Sequence, residues 1–264
     1  MSKKTEHAPG SRCWVELSTP DIDVAAGFYG SVFGWEIPEL ESSAELGGYR
    51  RAKKDGSDVA GAMPLMQEGQ PSTWTSYIAV EDADATAAAV REAGGSVIAE
   101  PMDVHDLGRM AVFADPEGAV FGIWQAGTFV GTELLDEPGA PCWTEVNSRD
   151  PEAAKRFYGA VFGWGTVDTD MGDEGTYTMW TLGDGGVAGL MDMRGRVPDE
   201  VPPSWLAYFA VADTDASLET IKGAGGEVSF GPIDTPAGRF AVITDPWGAV
   251  FALVDEPGDD AATA

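Results

Sequence analysis

The sequence predicts an α+β protein made by tandem duplication, on three observations. Residues 13–35, CWVELSTPDIDVAAGFYGSVFGW, recur at 142–164 as CWTEVNSRDPEAAKRFYGAVFGW, with 12 of 23 positions identical. Two further blocks recur in the same order: WTSYIAV (74–80) against WLAYFAV (205–211), and PMDVHDLGRMAVFADPEGAVF (101–121) against PIDTPAGRFAVITDPWGAVF (232–251). Within each copy, short alternating runs surround two helical patterns that stop at glycine. The first copy spans about 11–127 and the second about 140–256, joined near Gly127–Gly139, where Asp136-Glu-Pro-Gly139 is a turn signal.

Each element has its own warrant. Trp14–Ser18 alternates and predicts a strand. Asp21 or Thr19 can cap a helix over 22–33, with Ile22, Ala25, Phe28, Tyr29 and Val32 on its apolar face and Gly34 as its stop. Residues 47–54 and 58–66 predict a hairpin around Asp55-Gly56, and 74–81 another strand. A second helix over 83–93 ends at Gly94-Gly95. Strands near 97–101, 109–114 and 119–125 close the copy, the last two joined by the turn Asp115-Pro-Glu-Gly118. The second copy repeats the plan through Gly225-Gly226 and Asp245-Pro-Trp-Gly248, so each half is two βαβββ-like units with helices outside curved sheets. The first ten residues and the tail 258–264 are expected to be mobile.

Composition narrows function by exclusion. The 264 residues carry 16 Lys+Arg against 44 Asp+Glu, a net charge of −28. That balance argues against a nucleic-acid partner and against docking on an anionic membrane. No run is long enough to span a bilayer, and the polar start has no apolar leader segment, so the expected location is cytoplasmic. Cys13 and Cys142 occupy equivalent repeat positions and predict small buried hydrophobes rather than a disulfide. There is no nucleophile elbow and no dinucleotide fingerprint, and no cofactor is expected.

The Asp-x6-Phe-Tyr-Gly-x-Val-Phe-Gly-Trp helix, the later Ala-Gly-Gly and the Asp-Pro-x-Gly hairpin resemble the vicinal oxygen chelate superfamily. That superfamily includes glyoxalase I, extradiol dioxygenases and the bleomycin- and fosfomycin-resistance proteins. The resemblance covers nearly the whole chain, twice. It implies that each half is a glyoxalase-like domain whose paired modules form a cup. It also implies a pseudo-twofold contact between the halves within a monomer, or a weak homodimer. In metal-using relatives the resemblance places ligands at positions that here carry Trp14 and Trp143, Tyr77 and Tyr208, and Gly122 and Ala252. None is a good ligand, and the chain's histidines are only His7 and His105, so no metal is expected.

Strand parity puts Trp14, Glu16 and Ser18 on one face, and Trp143, Glu145 and Asn147 on the corresponding face. If the family's ligand position faces the cup, so do Glu16 and Glu145. A mid-strand carboxylate has two readings. One is a structural ion pair with Arg109 or Arg239, from the repeated Gly-Arg. The other is an acid–base pair of Glu and Arg acting on a bound molecule. Trp14, Trp143, Trp74, Tyr77, Trp205 and Tyr208 are candidates to line a cleft for a planar ligand, or else core residues. The basic run Arg50-Arg51-x-Lys53-Lys54 has no counterpart in the second copy and predicts a solvated strand face. The first copy alone has His105 and the extra Leu107 before its Gly-Arg. His105 is either an exposed loop residue or a proton shuttle; in the second case the first cup is the working one.

Together these predict a metal-free protein that binds a small organic molecule such as a secondary metabolite or antibiotic. It would act as a sequestration protein or as a cofactor-independent isomerase, cyclase or lyase. The alternative is a metal-dependent glyoxalase- or dioxygenase-type enzyme with ligands outside the positions above.

Overall fold

The computed structural model describes residues 3–39, 45–67, 69–172 and 175–255. The first copy forms one seven-stranded sheet, from β1 (Arg12–Thr19), β2 (Arg50–Lys54), β3 (Ser57–Pro64), β4 (Thr73–Ala79), β5 (Ser96–Val104), β6 (Gly108–Ala114) and β7 (Val120–Ala126). Its helices are α1 (Ile22–Phe33) and α2 (Ala83–Glu92). The second copy forms an eight-stranded sheet from β8 (Pro141–Ser148), β9 (Gly165–Asp170), β10 (Thr176–Leu182), β11 (Gly185–Asp192), β12 (Ser204–Val211), β13 (Glu227–Thr235), β14 (Gly238–Thr244) and β15 (Val250–Asp255). Its helices are α3 (Pro151–Phe162) and α4 (Thr214–Gly223).

The strand orders are β2-β3-β1-β4-β7-β6-β5 and β13-β14-β15-β12-β8-β11-β10-β9. In both, an antiparallel central pair, β1 with β4 and β8 with β12, joins two modules; the next strand on each side pairs in parallel, and the strands beyond it pair antiparallel. Among the described residues, the first module of the first copy has one strand fewer than the expected βαβββ plan. Where the second copy has β9, the described residues make the single bridge Glu36–Lys53.

Local chemistry sets the helix ends as predicted. Asp21 and Asp150 accept from the backbone N–H of Val24 and Ala153, and Gly34 and Gly163 close α1 and α3 in the left-handed region at φ 71 and 69. Asp82 and Asp213 cap α2 and α4 in the same way.

The two copies do not keep separate cores. One core joins β1 residues Val15 and Leu17 and α1 residues Phe28, Tyr29 and Phe33 to Phe209, Leu218, Ile221, Ile243 and Phe251 of the second copy. The other joins Ile78, Val90, Phe113 and Phe121 to Phe157, Tyr158, Trp164 and Trp180. Each core therefore pairs the first module of one copy with the second module of the other. Buried hydrogen bonds cross at the same places. Tyr29 donates to Asp245 at 2.8 Å and Tyr158 to Asp115 at 2.9 Å, so each Phe-Tyr motif meets the Asp-Pro-x-Gly turn of the opposite copy. Trp35 donates to the Gly139 carbonyl and Trp164 to the Gly10 carbonyl, each just ahead of the other copy's first strand. With the helices committed to these cores, the opposite face of each sheet remains as a concave surface.

The chain start is tied down, contrary to expectation. Lys3 pairs with Glu133, the Lys4 N–H bonds the Glu133 carbonyl, and the His7 ring bonds the Thr132 carbonyl. The tail from Gly258 lies outside the described residues. Cys13 is buried and Cys142 partly buried, both as free thiols, and burial pushes the Cys142 thiol up to about 12.

Candidate functional site

The concave face of each sheet carries the same four-residue network. In the first copy, Trp14 donates its indole hydrogen to the Tyr49 hydroxyl at 2.8 Å, and Tyr77 donates to Glu16 Oε1 at 3.0 Å. The Tyr49 hydroxyl also reaches the Glu16 carboxyl. In the second copy, Trp143 donates to the Tyr177 hydroxyl at 3.1 Å and Tyr208 donates to Glu145 Oε1 at 3.1 Å, with Tyr177 turned toward the same carboxyl. The strands make this assembly possible. Trp14 stands opposite Tyr77 and Trp143 opposite Tyr208, while Glu16 and Glu145 pair in parallel register with Gly61 and Gly189.

Those two glycines are part of the site. A Cβ on Gly61 would lie 2.2 Å from the Tyr49 hydroxyl, and one on Gly189 would lie 2.1 Å from the Tyr177 hydroxyl and 2.9 Å from Glu145 Oε2. Only glycine lets the phenol sit across the strand. Gly122 does the same for Tyr77, whose ring atoms lie 2.3 Å from where a Cβ would be. The second copy has Ala252 there, and Tyr208 is partly exposed where Tyr77 is 3% exposed.

Burial dominates the electrostatics. It pushes both Glu16 and Glu145 up to about 7, against the opposing pull of their tyrosine partners. Burial, with the glutamate charge beside them, also raises the Tyr77 and Tyr208 phenols, which therefore stay protonated and donate. A carboxyl at about 7 in a partly dry site can hold or release a proton near neutral pH.

Several predicted site residues stand elsewhere. Trp74 and Trp205 lie in the shared cores and donate to Tyr29 and Tyr158 at 3.1 and 2.8 Å. Trp74 is three residues from Tyr77 on one strand, so the two point to opposite faces, and the same holds for Trp205 and Tyr208. Arg109 and Arg239 are not the partners of Glu16 and Glu145. They sit on the helix side of their sheets, Arg109 between Asp84 and Asp103, and Arg239 between Asp215 and Asp234. His105 is exposed at the β5–β6 turn with φ 49, away from the network. Sequence reasoning misses Tyr49 and Tyr177, although each stands ten residues ahead of the valine and twelve ahead of the glycine of a repeated Val-Ala-Gly. That fourth repeated block, 59–61 against 187–189, is the available signal.

The Glyoxalase/Bleomycin resistance protein/Dioxygenase superfamily matches the chain twice, over residues 13–123 and 142–253. The chain belongs to this superfamily. It is 40% identical over 265 residues to the anthracycline biosynthesis protein DnrV of Streptomyces peucetius, covering 95% of each chain. Among solved structures it resembles the Mn(II)-bound glyoxalase from Novosphingobium aromaticivorans, with TM-score 0.64, 18% identity, and 98% and 86% of the two chains covered. It also resembles the 2,3-dioxygenase LapB from Pseudomonas sp. KL28, with TM-score 0.62, 13% identity, and 96% of each chain covered. At these identities the structural likenesses establish the superfamily fold and no more.

The superfamily's metal positions can be tested against the residues in place. The strands set Trp14, Tyr77 and Gly122 side by side, and likewise Trp143, Tyr208 and Ala252. An indole, a glycine and an alanine offer no ligand atom, and each phenol is already engaged as a donor to its glutamate. Among the described residues, no three His, Cys, Asp or Glu side chains converge. This donor set does not fit a resident divalent metal. No described helix is long and apolar enough to cross a membrane.

Proposed function

We propose that this superfamily member binds a small hydroxylated aromatic molecule on a concave sheet face and carries out proton transfer on it without a metal. The supporting observation is the carboxyl of Glu145, which is buried, or of Glu16, which is partly buried, each hydrogen-bonded by tyrosines and poised at about 7. Tryptophan and tyrosine rings supply contact area, and the carboxyl exchanges a proton with a hydroxyl or an acidic carbon of the ligand. The likeness to an anthracycline biosynthesis protein supports this ligand class, because anthracyclines are planar, hydroxylated and polycyclic. The chemistry fits an isomerase, cyclase or lyase step, in which a proton moves and no electrons are exchanged with a cofactor.

The test is twofold. Thermal shift and calorimetry with a panel of hydroxylated anthraquinones should show saturable stabilisation. For a bound compound with an acidic C–H, NMR in D2O should show enzyme-dependent exchange that falls by at least about tenfold in Glu145→Gln or Glu16→Gln. Binding without exchange in the wild-type protein would leave sequestration as the function.

A further inference from the structure

The two concave faces carry the same network, but the chain treats them differently. In the first copy, the segment after β7 returns across the face as a strap. The N–H groups of Gly127 and Phe129 bond the Leu107 carbonyl at 2.9 and 3.0 Å, and that of Thr128 bonds the Asp106 carbonyl at 2.9 Å. Leu107 is the extra residue of this copy, so the insertion anchors the strap. At the other end, Thr132 N–H bonds the Cys13 carbonyl at 2.8 Å and Glu133 N–H the Asp58 carbonyl at 2.7 Å. Gly131, at φ 106, passes so close that a Cβ would lie 2.3 Å from the Cys13 carbonyl oxygen.

Between these anchors the strap sets the Phe129 ring into the face. The ring stands edge-on to Trp14, with centroids 5.0 Å apart at 90°, and 5.9 Å from Trp124. The Arg51 guanidinium lies over it at 5.1 Å, held by Asp58 at 2.6 Å. The unmatched basic run therefore has a job: Arg51 caps the strap's phenylalanine. Trp14 is consequently only 6% exposed.

Among the described residues, the second copy has no such arrangement. By strand register, Met179 replaces Arg51 and Gly186 replaces Asp58. Trp143, Met179, Tyr208 and Phe240 are all partly exposed. Tyr208, Phe240 and Phe230 form a row with centroids 6.3 and 6.0 Å apart and planes tilted by 42° and 38°. Phe230 ends that row 54% exposed. On β8, two residues beyond Glu145 and on the same face, Asn147 is 8% exposed, and its amide oxygen has no hydrogen-bond partner among the described residues. A buried acceptor of this kind calls for a donor.

We infer that the concave face of the second copy is the ligand site, and that the first copy's equivalent is filled by the chain's own Phe129. This rests on the reading of the concave faces as binding surfaces. Phe129 shows what such a face accepts: one aromatic ring, edge-on to the tryptophan. In the second copy the ring comes from the ligand and lies along Tyr208, Phe240 and Phe230. A ligand hydroxyl donates to Asn147 Oδ1 beside Glu145. With methionine in place of Arg51, the guanidinium that caps the ring in the first copy has no equivalent at that strand position, and Arg196 is the cation that acts on Glu145.

Titration calorimetry with 1,5-dihydroxynaphthalene as probe tests the assignment. Wild-type protein should bind one equivalent. Asn147→Leu, which removes the orphaned acceptor and should stay folded, should weaken binding about five- to tenfold, while leaving affinity for unsubstituted naphthalene unchanged. Met179→Trp should block the site, and Phe129→Ala should raise the stoichiometry to two. Two equivalents in the wild type would overturn the asymmetry while preserving the reading of both faces as sites. Binding by Phe129→Ala alone would overturn the assignment to the second copy. No binding by any variant would overturn the ligand class and the proposed function together.

Discussion

At the scale of single residues, Glu145 is the most consequential side chain. It is 5% exposed and its carboxyl is raised from 4.5 to about 7 by burial. The sign of its effect on stability follows from which state binds the proton. Between pH 4.5 and 7 the folded protein keeps a proton that the unfolded chain has lost, so stability contributed by this group falls as pH rises through that window. A shift of this size corresponds to on the order of 3 kcal/mol of destabilisation above the window. Glu145→Gln still accepts from Tyr208 and cannot ionise. Its urea-unfolding stability should therefore exceed that of the wild type at pH 8, and the gap should narrow as pH falls and close below about pH 4.5. A variant less stable at pH 8 would mean that the charged carboxylate is better solvated in the fold than its burial implies.

At the scale of elements, glycines in β3 and β11 decide whether the network can exist. Gly189→Ala places a methyl 2.1 Å from the Tyr177 hydroxyl, so the phenol must leave and Trp143 loses its acceptor. The expected cost is about 1–3 kcal/mol in denaturant unfolding, with a change in Trp143 fluorescence. Gly61→Ala should behave alike through Tyr49. This scale also shows what could be read from the chain and what could not. Helices were legible because their signals are local, an aspartate cap and a glycine stop. Parity placed Trp14, Glu16, Trp143 and Glu145 correctly, since one strand fixes its own alternation. Alternation does not extend to Cys13, which shares a buried cluster with Trp14 where the register shifts between Arg12 and Trp14. Counting by two from Tyr77 would have removed Trp74 from the cup. The pairing of Arg109 with Asp84 depends on where α2 lies over the sheet, which no spacing along the strand encodes. The strap escaped for the same reason: Phe129 is an isolated aromatic in a segment of turns, and only the fold reveals what it covers.

At the scale of the molecule, the crossed cores make the two copies one cooperative unit. A half of the chain expressed alone would expose the faces that Tyr29, Phe33 and Phe209 or Tyr158, Phe121 and Trp164 now bury. Calorimetry of the whole protein should give one transition with equal calorimetric and van't Hoff enthalpies. Separately expressed halves, cut in the segment between β7 and β8, should show little tertiary near-UV signal until mixed. Two independent transitions, or a stable monomeric half, would show that the copies fold on their own.

The hydrogen bonds from Tyr29 to Asp245 and from Tyr158 to Asp115 have a genetic corollary. Recombination between the two repeats of the gene, which ordinarily trims a tandem array to a single copy, would not yield half a protein with one cup. It would yield a polypeptide whose helix and Asp-Pro turn both need a counterpart, available only on a sister molecule. The fused pair instead holds its counterpart at a fixed effective concentration, independent of expression level. Inheritance in one reading frame also lets the two concave faces accumulate different substitutions, as a symmetric homodimer never can, because there every change appears twice.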